Sequence, residues 1–269
     1  MDPSKIYAIF IRQFFLIKNN PTRLANTFLW LVIDVTEWGF ISKYLATLGY
    51  ATFGYVSVIL GAVILMQFMT RIQQGIMAFF LEDIWTQNFI NYFASPLKVS
   101  EYVAGLILSS IATAIIGFMI MIGIAGLAFG YNLFEIGFLL LPFMTVLFIF
   151  GMAVGIFVAG VIFRFGPSAE WAGWPIPIVL SLFSGVFYPI STLPTFMRAF
   201  AALLPSSYVF ESMRGMIAGQ LSGQSLVLNL GIAGVLAAVY FFAAYWFFVR
   251  IYRYNLKHGT IARFNSEEL

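Results

Sequence analysis

Residues 102–134 read YVAGLILSSIATAIIGFMIMIGIAGLAFGYNLF, with no charged side chain anywhere in the run. In lipid such a segment must satisfy every backbone N–H and C=O internally, and a helix does this within one stretch of chain. About 20 apolar residues cross the hydrocarbon core, so this run dictates a membrane-spanning helix with length to spare. The rest of the chain agrees. Charged residues make up 9% of the 269 and hydrophobic residues 61%, where a soluble domain carries roughly 25% charged residues. That leaves too little polar surface to face water on all sides, and the chain reads as an all-α integral membrane protein.

Hydropathy divides it into six transmembrane helices. Residues 4–18, SKIYAIFIRQFFLIK, are apolar but hold three basic groups. They suit a helix lying in the membrane interface over 1–20, its long basic stems reaching the headgroups. Arg12 and Lys18 interrupt the apolar run, which argues against a cleavable signal. Pro21 opens the first span, 23–43, because a proline in the first turn loses no useful donor. A turn from Gly49 to Gly54 precedes the second span, 55–80. Residues 81–100, LEDIWTQNFINYFASPLKVS, form the longest polar interruption. The third span covers 101–130, the fourth 136–163, the fifth begins near Trp174, and the sixth covers 226–249 before a basic tail at 250–269. No polar stretch is long enough for a second domain, so 1–269 is one transmembrane domain.

Of the 14 lysines and arginines, only Lys43, Arg198 and Arg214 fall on the side opposite the termini. By the positive-inside rule both termini are cytoplasmic, with the cell (inner) membrane of a prokaryote the natural setting. Arg71, with Gln67, Gln73 and Gln74, is expected at the cytoplasmic end of the second span, snorkelling to the interface or gating. There it is too deep to pair with Asp34. The glycine pairs at 126 and 130 and at 151 and 155 have the spacing of close helix packing, although glycine is common in membrane helices anyway.

Several chemistries have no material here. There is no cysteine, a single histidine (His258, in the tail) and no G-x-x-x-x-G-K-[ST] motif. A thiolate metal site, a Ser–His–Asp triad and a nucleotide-cradling loop are therefore not expected in this chain. Basic residues cluster only toward the termini, so nucleic acid is not an expected partner. Asp34 and Glu37 are the acidic groups inside a span. A charge there costs roughly 2.5–3.5 kcal/mol on insertion scales, so the pair faces a substrate path, a subunit interface or a hydrogen-bonding neighbour such as Thr36.

The segment 183–215, FSGVFYPISTLPTFMRAFAALLPSSYVFESMRG, breaks its apolar run three times. Pro189 would end the fifth helix by removing a backbone bond. Ser191 or Thr192 would cap a short helix with Pro194 in its first turn. Pro205 would end that helix, and Ser206 or Ser207 would cap the next. Glu211 and Arg214, one turn apart, can satisfy each other. Broken backbone at membrane depth must pack on protein or line a cavity, which predicts a re-entrant helical hairpin over 189–220 on the outer side. A direct ion pair further predicts that reversing both charges restores what either single reversal loses.

This order of features resembles the signature region of ABC-2-type transporter permeases. In that family a Ser-Gly-x-x-Tyr/Phe-Pro element, a Leu-Pro, a later proline and a Glu-x-x-Arg-like ending recur before the last span. SPLKVSEYVAG resembles the family's segment after its cytoplasmic coupling helix. The resemblance implies that 82–93, EDIWTQNFINYF, is that coupling helix, docking on a separate ATPase through Glu82, Asp83, Trp85, Asn88, Phe89 and Tyr92. The stretch departs from the Gly-Thr-Leu-Glu-like sequence often found there. Its own residues describe a short amphipathic helix with Trp85, Phe89 and Tyr92 for contacts and Glu82 and Asp83 in its first turn.

The resemblance also implies the membrane subunit of an ATP-driven exporter. Two copies, or one copy and a paralogous permease, form the pathway, with membrane lipid around them. Two copies of an ABC ATPase subunit bind the ATP and Mg. The chain itself is then a transport subunit, not an enzyme, and the hairpin prolines with Glu211 and Arg214 form an outer gate. A passive channel or lipid scramblase would need no partner ATPase, but the structured loop at 81–100 is more than a bare turn requires. The scarcity of charge along the spans argues against small inorganic ions as cargo.

Overall fold

The computed structural model describes residues 1–47, 53–219 and 222–258. Its described residues are helical, with no strand among them. In chain order the helices are α1 (Pro3–Lys18), α2 (Pro21–Thr47), α3 (Phe53–Trp85), α4 (Phe89–Ala94), α5 (Val99–Phe129), α6 (Leu140–Phe165), α7 (Ile176–Ser184), α8 (Thr195–Ala201), α9 (Pro205–Ile217) and α10 (Gly223–His258). Among the described residues, four stretches are long and apolar enough to cross a membrane: Val58–Trp85, Val99–Phe129, Ile136–Phe165 and Gly223–His258. The turn expected at Gly49 to Gly54 falls mostly outside the described residues, and α3 has begun by Phe53.

Helices α3 and α6 form the centre. The Cβ of any larger residue at Gly151 would stand 2.8 Å from the Met69 carbonyl oxygen, and at Gly155 3.0 Å from that of Gln73. The two backbones touch there, so the 151/155 pair is a packing seam. Gly126 and Gly130 have no such neighbour; Gly130 instead ends α5 in a left-handed conformation, φ 67°, which glycine adopts without cost. We expect Gly155→Leu to prevent accumulation of folded protein, because the obstacle is backbone and cannot turn aside. Size-exclusion of the detergent extract checks this, and a wild-type peak would show that α6 can shift.

The long helices exceed the membrane. At 1.5 Å per residue α3, α5 and α10 rise about 50, 46 and 54 Å, against about 30 Å of hydrocarbon. Their ends meet in a cluster where Phe80 of α3 packs edge-on against Phe89, Tyr102, Phe163 and Phe248. Gly75 faces Ser110 and Gly160 faces Phe247, so α3, α6 and α10 run one way and α5 the other.

Three expectations change. Arg71 stands inside α3, which continues for 14 further residues; Gln73 is buried, and Gln67, Arg71 and Gln74 are half-buried. Glu82, Asp83 and Trp85 belong to the last turn of α3, not the first turn of a separate helix, and α4 is only six residues long. The last helix also absorbs the start of the tail, running to His258, while 259–269 lie outside the described residues.

Candidate functional site

The polar interruption folds into a joint between four helices. Asp83 is fully buried, and Arg12 of α1 reaches it in an ion pair. The Tyr102 hydroxyl of α5 donates to the other Asp83 oxygen at 2.7 Å. Arg12 also donates to the Tyr92 hydroxyl of α4 at 2.8 Å, and its charge lies over the Tyr92 ring. One carboxylate therefore ties α3 to α1 and α5, and through Arg12 and Tyr92 to α4. Burial, reinforced by the Asp83 charge, raises the Tyr92 pKa, so its hydroxyl keeps its proton. For Arg12 burial alone would lower the pKa, but the Asp83 charge outweighs it and keeps the guanidinium ionised.

A second knot anchors the other end of α1. The Glu101 carboxylate accepts from the Lys98 and Asp2 backbone N–H groups at 3.0 and 2.8 Å. Lys5 donates to the Pro96 carbonyl at 2.6 Å. Between the two knots Ile9 packs so tightly on Gly105 that an added Cβ would lie 2.6 Å away. Helix α1 is thus fastened along the loop between α3 and α5.

The six residues expected to contact an ATPase do not share a surface. Glu82, Asp83 and Phe89 are buried, Asn88 and Tyr92 are half-buried, and Trp85 is 56% exposed. The exposed tip is made by Trp85, Thr86, Gln87 and Asn91, and Gln87 turns the chain with φ 56°. The sequence pattern missed the inward role of Asp83 because its partner is 71 residues away. The available signal was Arg12 itself, a cation in the middle of the helix with the apolar runs YAIFI and FFLI on either side. A cavity of ≈ 20 Å³ beside Phe89 and Tyr102 is the size of a water molecule, so the aromatic side of the joint is closely packed.

On α2, Asp34 accepts from Gln67 of α3 at 2.7 Å. Its partner is on another helix, and Arg71, one turn beyond Gln67, is within electrostatic reach of it. Glu37 is exposed on the same side of α2. One turn on from Asp34, Trp38 stacks on Phe187 with ring centres 4.4 Å apart, which joins α2 to the broken segment.

That segment is built differently from its expected caps. Helix α7 has nine residues and ends at Gly185, φ 74°, four residues before Pro189. Pro194 stands just outside α8, where no side chain caps the first turn; instead Arg198 donates back to the Leu193 and Ser191 carbonyls. Pro205 begins α9 instead of ending α8. Ser206 is buried, 2.6 Å from the Ser184 hydroxyl, so it joins α9 to α7. Glu211 and Arg214 do pair, at 2.6 Å. Each also holds a backbone group, since Glu211 accepts from the Ile190 N–H at 2.9 Å and Arg214 donates to the Gly185 carbonyl at 2.6 Å.

Long apolar helices, jointed to a short helical tip, mark an integral membrane protein. A family model described as ABC-2 type transporter matches residues 4–218. The chain belongs to the ABC-2 type transporter family, whose membrane subunits generally work with an ABC ATPase and are not themselves catalytic. No curated protein matches it.

Proposed function

We propose that this chain forms the pathway of an ATP-driven exporter as one of two permease copies, with ATP and Mg held on two separate ABC ATPase subunits. The overhanging ends face the cytoplasm, as do both termini. The tip around α4 is the coupling segment. The observation that carries this reading is the Asp83 joint, because it makes α1, α3, α4 and α5 move as one body. A displacement of the tip by the ATPase then passes into two long helices without being absorbed locally. Tilting of those helices shifts the subunit between two packed states biased by nucleotide on the partner. The segment 189–220 is the outer re-entrant hairpin and acts as the gate, held to α2 by Trp38 and Phe187. Asp34 and Glu37 face the pathway or the second copy, where a carboxylate escapes the cost of facing lipid.

The chain has no native cysteine, so single cysteines report without background. Cysteine at Trp85, Gln87 or Asn91 is expected to cross-link to the ATPase, with a yield that changes when ATP is bound. If none of the three cross-links in any nucleotide state, this coupling model fails.

A further inference from the structure

Val239, Phe242 and Trp246 of α10 are exposed, and so are Arg250, Arg253 and Lys257. They follow one another at steps of three or four residues and therefore lie on one helix face. The face is apolar up to Trp246 and basic one turn later. The Arg250 guanidinium lies over the Trp246 ring, 5.3 Å from its centre. Arg164, from the last turn of α6, lies over the Tyr254 ring at 4.5 Å. Four cations thus gather at one corner, and neither α6 nor α10 carries an acidic residue.

We infer that this corner binds the phosphate of an anionic phospholipid whose acyl chains lie along Val239 and Phe242. The vertical order along the face is that of a lipid: acyl chain, interface, headgroup. Tryptophan prefers the interface, and arginine offers paired N–H donors to a phosphate. Phe242 to Arg250 is eight residues, about 12 Å of rise, which suits the distance from acyl chain to phosphate. The two ring contacts hold Arg250 and Arg164 against the helix surface, so less freedom is lost on binding. This inference needs only that the chain sits in a membrane, and it stands or falls independently of coupling to an ATPase.

The test weighs the intact protein, purified in mild detergent with its accompanying subunits, after mixing with equal amounts of dioleoylphosphatidylglycerol and dioleoylphosphatidylcholine. The wild type is expected to retain the anionic lipid at least about 25-fold over the zwitterionic one, since each nearby cation is worth about a fivefold preference and Arg250 and Arg253 supply two such factors. The preference should fall as salt is raised. R250Q/R253Q should lower the ratio about 25-fold with helicity unchanged, while K43Q, at the far end of α2, should not alter it. Equal retention by the wild type overturns the inference, and so does a ratio that R250Q/R253Q leaves unchanged. If those substitutions instead release a second copy or an ATPase subunit with the lipid ratio unchanged, the face belongs to a protein partner and the lipid site is wrong.

Discussion

Arg12→Ala is expected to destabilise the chain by about 3 kcal/mol, the low end of what removing one partner of a buried ion pair costs. The cost arises because Asp83 has no exposure, so without Arg12 it must hold an uncompensated charge or take up a proton. It stays at the low end because the Tyr102 hydroxyl still donates to it, and because Arg12 itself is 26% exposed and partly solvated. A loss of this size lowers the melting temperature by roughly 6–12 °C for a chain of this length. Thermal unfolding followed by size exclusion measures it. R12M/D83N should recover most of the loss, because the asparagine carbonyl accepts from Tyr102 with no charge left to compensate. The double variant should nevertheless leave ATPase activity less tightly linked to transport, since α1 is no longer tied to α3. If Arg12→Ala melts with the wild type, the tyrosines alone hold Asp83 and α1 is not part of the joint.

The second large effect concerns Glu211 and Arg214. Glu211→Ala removes the acceptor of both Arg214 and the Ile190 N–H, and should cost about 2 kcal/mol after allowing for its 35% exposure. The charge-swapped E211R/R214E is expected not to recover what the single reversals lose. A simple pair would be restored by exchange, but each residue here also holds a backbone group of fixed polarity. An arginine at 211 cannot accept from the Ile190 N–H, and a glutamate at 214 cannot donate to the Gly185 carbonyl. Export and melting temperature of the three variants decide the matter. Recovery in the swapped chain would mean that the backbone contacts contribute little.

Much of the fold was legible because lipid imposes it. A run without charge must be helical, whichever neighbours it has, and α5, α6 and α10 appear where their apolar residues lie. Among the described residues four stretches, against the six expected, are long and apolar enough to cross a membrane; α2 is not among them, and the fifth expected span holds only the nine-residue α7. Arg71 and three glutamines read as the cytoplasmic end of the second span, too deep to reach Asp34, yet Arg71 is within electrostatic reach of Asp34 and α3 runs on for 14 residues past it. Prolines 189, 194 and 205 announced breaks at about the right places, but Gly185 ended α7 and Pro205 opened α9. A proline forbids helix behind it more strongly than ahead of it, so it marks a boundary without saying on which side the helix lies.

The candidate site was legible in composition but not in orientation. Residues 82–93 stood out because they interrupt a greasy chain, and the Glu211–Arg214 pair was visible because its partners share one helical turn. Asp83 and Phe89 looked like surface contacts and are interior. By itself the sequence determined that this is a helical membrane protein and roughly where the backbone breaks, because those properties follow from local hydrophobicity and from proline and glycine geometry. Only the tertiary structure decided that Arg12 belongs to Asp83, Gln67 to Asp34 and Arg214 to Gly185. Those contacts join residues up to 71 positions apart, and a buried charge takes its partner from whichever helix packing brings within reach.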